Sequence, residues 1–435
     1  MGSNQPETAL VSGQIVAPER SPFTASAQEK LAAFLMYALA YVYADMIWLS
    51  SRRELSLAVF TLGFVALTEY LHRGAPRPRE SWVWLGCVGV DLCSVLFGRG
   101  RAWDSAYLML FLHIFAVWWS LSRSGTLLEG ESGHLLPLDA LNGFVAFPFK
   151  HFFLRLRTVG FTLSRLRGER KRKKPEAETV VWSLVMSAAA LGLLVWAVNL
   201  LMSADVGFAT LLDHFAELFR FEWKIDGDIL FRLLLSLPVG AYLYGLLGGT
   251  LREDKAALRK RAESVAEQME ALRGVPERVW LVLLVLFCAV YALFFAVQAR
   301  YLFGAFTGAP PEGFSVAEYA RQGFFELCKV MAVNFALLWL VTRSSKTDVR
   351  QQKAAQALCL ALLAESFLLA VVAFSKLALY IHIYGFTPKR LQSTWLVCVL
   401  AFGCGGAAWS LARGGKTFRV WMYFGAVTLA LLCLY

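Results

Sequence analysis

About eleven apolar stretches, each long enough to cross a bilayer as a helix, run through this 435-residue chain with short polar connections between them. Roughly 20 apolar residues in a row span about 30 Å of hydrocarbon. The candidate spans are 31–50, 55–72, 81–98, 105–121, 180–202, 229–249, 279–299, 323–342, 355–379, 392–412 and 418–435. Hydrophobic residues make up 57% of the chain and charged ones 17%, a bilayer-like balance that excludes an ordinary soluble globule. The fold expected is an all-α, polytopic transmembrane helical bundle of about eleven spans, within a range of nine to twelve.

The connections carry unequal positive charge. Arg and Lys in, or bordering, alternate connections number 30 on one side and 11 on the other. Positive loops stay cytoplasmic, so the N-terminus is expected inside and Tyr435 outside. The surplus comes mostly from 122–179 and 250–278, and it accounts for the net charge of +11 without nucleic acid, because anionic headgroups are the nearer partner. Residues 1–26 are polar, with no basic run leading into an apolar core, and read as a disordered cytoplasmic tail before a signal-anchor helix. The organisation expected is this tail, a four-helix bundle over 27–121, a basic interfacial loop over 122–179, and a C-terminal bundle over 180–435.

Both basic loops have helical periodicity. In 149–167, Phe152, Leu156, Val159, Leu163 and Leu166 share one face, and His151, Arg155, Thr158, Thr162 and Arg165 share another. That pattern predicts a helix in the cytoplasmic headgroup layer. Arg155, Arg165 and the run Arg170, Lys171, Arg172, Lys173 and Lys174 are the candidate headgroup ligands, with plain topology anchoring as the alternative. In 251–273, Leu258, Ala262, Val265, Met269 and Leu272 line one face before Gly274 and Pro276 end it, which predicts a cytoplasmic helix that packs on a neighbour or a protein partner. Gly245, Gly248 and Gly249, like Gly403, Gly405 and Gly406, mark close helix approaches.

Ionisable residues inside spans are the costly positions, each needing a partner or water. Asp45, Asp91 and His113 in the first four spans form either a proton relay or structural hydrogen bonds. The end of the C-terminal region assigned to the outside is denser. Asp205, Arg232, Arg300, Glu318, Arg321, Glu326, Lys329, Glu365 and Arg390, with Tyr319, are the candidate substrate-binding residues. Glu326 and Lys329 share a helix face; where the eighth and ninth spans touch, Lys329 can pair with Glu326 or Glu365 as a self-neutralised structural pair. The alternative is a polar pocket open to the outer face that binds an anion, headgroup or proton. The eight cysteines all lie in apolar stretches without a C-x-x-C pair and read as buried thiols; neither metal nor cofactor is expected.

Three segments carry a resemblance. Leu201-Met202-Ser203-Ala204-Asp205, Tyr301-Leu302-Phe303-Gly304 with Ala317-Glu318-Tyr319-Ala320-Arg321-Gln322-Gly323-Phe324-Phe325-Glu326-Leu327, and Tyr384-Gly385-Phe386-Thr387-Pro388-Lys389-Arg390 resemble a bacterial integral-membrane family, domain of unknown function 4173, and its relative 4153. The resemblance spans about 180–400, with Val206 and Ala305 departing from the family's usual proline and glycine. It implies a bacterial inner-membrane location and no known activity.

The chain holds no G-x-x-x-x-G-K-[ST], H-E-x-x-H or G-x-S-x-G, which disfavours enzymes of soluble type. Transport or flipping of a small anion, proton or lipid is the leading expectation, although no inverted repeat is evident and Pro238 is the one proline flagged inside a span. The alternatives are an envelope sensor signalling through its cytoplasmic loops and a membrane enzyme acting on a lipid carrier.

Overall fold

The computed structural model describes residues 23–48, 53–97, 105–166, 186, 227–307, 313, 315–321 and 324–434. Among these, regular structure is helical, apart from one isolated bridge between Val275 and Ser345. The helices are α1 Ala27–Trp48, α2 Arg53–Leu71, α3 Glu80–Phe97, α4 Ser105–Ser124, α5 Leu136–Leu141, α6 Phe147–Lys150 and α7 Leu154–Leu166. They continue with α8 Gly227–Arg252, α9 Lys255–Ala271, α10 Glu277–Phe303, α11 Val316–Arg321, α12 Phe324–Ser344, α13 Lys353–Tyr384, α14 Pro388–Arg413 and α15 Thr417–Cys433. Eight spans among the described residues are long and apolar enough to cross a membrane, α11 and α12 counting together as one, so the chain is an all-α polytopic bundle. The first and last expected spans are the helices α1 and α15. The expected span 180–202 lies outside the described residues except for Met186.

Local chemistry sets the helix ends. The Ser26 hydroxyl accepts from the Glu29 N–H at 3.1 Å, and the Glu29 carboxylate accepts from the Ser26 N–H at 2.8 Å, a reciprocal cap that starts α1. Asp254 caps α9 by accepting from the Ala256 N–H. At the α13–α14 corner Gly385 takes a φ of +77°, and Pro388 then sits in the first turn of α14, where it forfeits no helical hydrogen bond.

The helices assemble into two linked halves. In the first, α1 packs on α2 and α8, and α3 packs on α4, around Phe64, Trp84, Trp119 and Leu246. In the second, α13 packs on α10, α12 and α14. The final helix α15 lies against both α14 and α3, and the Tyr423 ring meets Trp84 edge-on with centroids 6.0 Å apart. Helix α8, counted by sequence with the C-terminal bundle, therefore belongs spatially with α1, and α15 with both halves. Contacts at the helix ends place on one face of the bundle the loop after α4, α5–α7, α9 and the starts of α10, α13 and α15, among them Glu29 with Arg252, Glu131 with Arg419, Glu80 with Ser132 and Val275 with Ser345. We call this the basic face.

The segment after α4 folds back on the bundle. On α8 the glycine stripe is the reason α6 can lie so close. A Cβ at Gly245 would strike the Pro148 backbone, one at Gly249 the Phe147 side chain, and one at Gly248 the Leu154 side chain. Helix α7 forms within the predicted 149–167 stretch. Arg155 and Thr158 are buried against the bundle with Leu154, whereas Leu156, Leu163 and Arg165 are exposed. Arg155, expected at headgroups, instead lies over the Tyr37 ring at 5.0 Å. Where the outside is lipid, leucines can face outward and part of the polar stripe turns inward to find protein. In α9, Leu258 and Ala262 are buried as the periodicity requires. The run 170–174 lies outside the described residues.

Candidate functional site

The site builds from Lys376, the one basic side chain in the middle of an otherwise apolar stretch of α13. Its ring-lined position is fixed by two other segments. Tyr301 comes from the last turn of α10, and Tyr319 from the short helix α11, which returns over the bundle end. A cap starts α11, in which the Ser315 hydroxyl donates to the Glu318 carboxylate at 2.7 Å and accepts from the Glu318 N–H at 3.3 Å. Tyr319 is then locked. Its hydroxyl donates to the Tyr301 carbonyl at 2.6 Å and accepts from the Ala305 N–H at 3.2 Å. The two tyrosine rings meet edge to face at 5.2 Å.

Between these rings lies the Lys376 ammonium, 4.1 Å from the Tyr301 centroid and 4.3 Å from the Tyr319 centroid, on a residue only 1% exposed. Among the described residues it makes neither hydrogen bond nor ion pair. Two cation–π contacts of about 2 kcal/mol each work against the several kcal/mol that desolvating an ammonium costs. With no oxygen acceptor beside the ammonium among the described residues, the cage holds a cation that still attracts an anion.

The α13–α14 corner closes the same end of the bundle. Arg390 donates to the Tyr384 carbonyl at 2.9 Å and also to the Gly385 carbonyl, while its guanidinium stacks 4.0 Å over Tyr380. Deeper in the bundle the polar trail continues. The Tyr291 hydroxyl donates to Asn334 Oδ1 at 2.7 Å, and Asn334 Nδ2 donates to Ser366 Oγ at 2.8 Å. Glu365 faces the Cys288 thiol nearby. From Lys376 to Glu365 is about 16 Å along α13 at about 1.5 Å per residue, too far for a pair.

The residues expected at this site are thus sorted. Tyr319 forms it; Glu318 and Arg390 build the elements around it. Arg232 lies elsewhere, paired at 2.6 Å with Asp45 between α8 and α1. Glu326 and Lys329 are both exposed on α12 and form no ion pair with each other or with Glu365 among the described residues, against the paired reading of their spacing. Arg300 and Arg321 belong to α10 and α11; Asp205 lies outside the described residues. The relay residues are likewise separate. His113 bonds the Tyr43 hydroxyl at 2.7 Å and the Met109 carbonyl, and fully buried Asp91 lies beside the Cys433 thiol. No hydrogen bond among the described residues joins Asp45, Asp91 and His113.

Sequence reasoning missed Lys376 as a site residue because it falls near a span end and reads as part of the next connection. The available signal was its ammonium within a 32-residue helix of apolar composition.

On the basic face the electrostatics differ in kind. Burial pushes Glu253 up, but Lys150 at 2.5 Å and His151 at 2.9 Å outweigh this and hold it below the usual carboxylate range. Asp139, 1% exposed, is raised to about 7 by burial, although its carboxylate accepts from the Leu128 N–H at 2.9 Å. A cleft of about 370 Å³ opens here between the loop after α4, α9 and the end of α12, with His134, Arg259 and Arg343 in its walls. Among the described residues, no group of three His, Cys, Asp or Glu side chains is placed to hold a metal.

A family model described as a domain of unknown function (DUF4153) matches residues 31–435, and the chain belongs to this family. The match is to the second of the two families suggested by the motifs and extends well before them. No curated protein and no solved structure matches the chain.

Proposed function

We propose that the chain is a multi-pass protein of the bacterial inner membrane, basic face inward, that takes up an anionic group at the Lys376 cage and moves it. The group is a small anion, or the phosphate of a lipid headgroup, entering from the extracytoplasmic side; proton coupling through buried carboxylates fits the same reading. The observation that carries this is the Lys376 ammonium held between Tyr301 and Tyr319 with no carboxylate beside it among the described residues. The second of the three motif segments supplies both tyrosines, and the third closes the corner next to it. Lys329, exposed on α12, is the cation that would draw the anion in rather than hold it, with Glu326 a turn away on the same helix.

The test is transport by the full chain in liposomes, following uptake of radiolabelled phosphate and, separately, inward movement of fluorescent phosphatidylglycerol. Wild type should move one of the two. Lys376→Met should slow it by about tenfold or more, and Lys376→Arg should keep more of it. Equal transport by wild type and Lys376→Met, or none by wild type, overturns the reading.

A second reading is favoured by the basic-face cleft, where the two halves and α9 meet. A protein whose halves shift when the cage fills would alter that cleft and report to a cytoplasmic partner. Cross-linking of a partner at α9 that depends on Lys376, without transport, selects this sensor reading. Chemistry on a lipid carrier has no arrangement of side chains in its support here.

A further inference from the structure

At the basic face a second cluster draws on three separate stretches of chain: the residues leading into α1, helix α7 and the end of α8. Its floor is two phenylalanines, Phe23 and Phe161, with ring centroids 5.7 Å apart and edge to face. Four cations surround them. Lys30 and Arg165 lie 5.3 and 5.0 Å from the Phe161 centroid, and Arg157 and Arg252 lie 5.4 and 4.7 Å from that of Phe23. One carboxylate answers them. Glu29 pairs with Arg252 at 2.5 Å, and Arg252 also donates to the Thr24 carbonyl at 2.9 Å. Lys30, Arg157 and Arg165 have no ion pair among the described residues. Three like charges are thereby gathered around one pair of rings with no ion-pair partner among the described residues, an arrangement that like-charge repulsion opposes unless an anion joins it.

Position identifies the anion. The cluster sits where α1 begins and α8 ends, the level at which spanning helices leave the hydrocarbon. Leu156 and Leu163 of α7 are exposed, 43% and 44%, toward the same surroundings. A free anion would use the charges and leave the leucines unexplained. A phospholipid uses both, with its phosphate among the cations and its chains along α7.

We propose that Lys30, Arg157 and Arg165, on the platform of Phe23 and Phe161, form a binding site for the phosphate of an acidic phospholipid, which holds α7 against α1 and α8. The site is independent of the Lys376 cage and lies at the opposite face. Arg155 is no part of it, being turned inward, and the site needs nothing from the run 170–174.

The experiment is native mass spectrometry of the purified full chain titrated with phosphatidylglycerol or with phosphatidylcholine. Wild type should bind the first more tightly. The triple variant Lys30→Gln, Arg157→Gln, Arg165→Gln should lose on the order of a hundredfold in phosphatidylglycerol affinity, since each basic group near a membrane surface contributes about 1 kcal/mol, or roughly fivefold. Phe161→Leu, with every charge kept, should weaken binding by a smaller factor. The control Lys260→Gln, Arg261→Gln removes exposed charges from α9 and should change nothing. An unaltered affinity in the triple variant overturns the proposal, as does an equal loss in the α9 control. Release of the lipid by excess inorganic phosphate makes this a free-anion site and overturns the lipid assignment.

Discussion

The two halves of the bundle differ in how they join charges across helices. In the first half several ionisable side chains are tied across helices, although buried Asp91 and Arg155 and three of the cations around Phe23 and Phe161 have no ion pair among the described residues. Arg123 reaches Glu69 at 3.0 Å and the His72 carbonyl at 3.0 Å, Arg77 meets Glu69 at 2.5 Å, and Arg232 meets Asp45 at 2.6 Å. Buried Glu80 accepts from the Trp84 indole at 2.8 Å and from both the hydroxyl and the N–H of Ser132. In the second half, Glu326, Lys329 and Lys376 form no ion pair among the described residues, and Glu365 meets only a thiol. Outside its spans this half carries exposed pairs, Glu270 with Arg273 and Asp348 with Arg350. Matched charges make a scaffold; unmatched ones are kept at a cost that function must repay. The first half thus braces the second, which carries the site.

Breaking a matched charge should cost the most. Glu69→Ala leaves Arg123, 4% exposed, without its carboxylate, and should lower stability by about 3 kcal/mol, read as a fall in the unfolding temperature in detergent. The contrast between the halves fails if Lys376→Met costs as much. That variant should be neutral or stabilising, because replacing a buried charge by an apolar side chain of similar size is tolerated. Its transport rate should nevertheless fall by about tenfold or more, the worth of one hydrogen bond to a charged group.

Next in size is Gly245→Val on α8, which should cost about 1–3 kcal/mol by overpacking against the Pro148 backbone, seen as faster proteolysis within 142–166. Asp139 gives a pH test of the scaffold. Its native-state value of about 7 lies above the ordinary 3.8, so the folded protein holds a proton that the unfolded chain releases. Stability should therefore fall as pH rises from about 4 to about 7, and Asp139→Asn should flatten that slope in unfolding measured across the range. Smallest of all, Glu326→Gln and Lys329→Gln, both exposed, should stay within about 0.5 kcal/mol of wild type. A large loss of folded protein in either would show that the second half is braced by charge after all.

Much of the fold was legible because the bilayer imposes a length on every span, and no later contact can shorten it. The glycines of α8 were legible for a similar reason: only a close neighbour explains three of them on one helix. The inward turn of Arg155 was not. Periodicity finds two faces, but which one meets protein depends on whether lipid or water lies outside. The cage was half legible. Tyr319 stood out by its motif, whereas Lys376 joins Tyr301 and Tyr319 only through the packing of α13 on α10 and α11, which no spacing in the chain encodes. Of the two readings of Lys329, the described residues show no pair with Glu326 or Glu365, because spacing along one helix says nothing about which way that helix faces.

Helix α15 has a bearing on biosynthesis. It covers α3, and Arg419 at its start donates to the Ser132 carbonyl at 3.0 Å and pairs with Glu131. A ribosome delivers α3 early and α15 only after every other helix described here, so the side of Trp84 that Tyr423 covers stays open to lipid throughout that interval. Individual helices can enter the membrane as they emerge, but joining of the halves waits for translation to pass residue 433. A chain stalled or cut before that point would present membrane quality control with an intact yet unlatched scaffold.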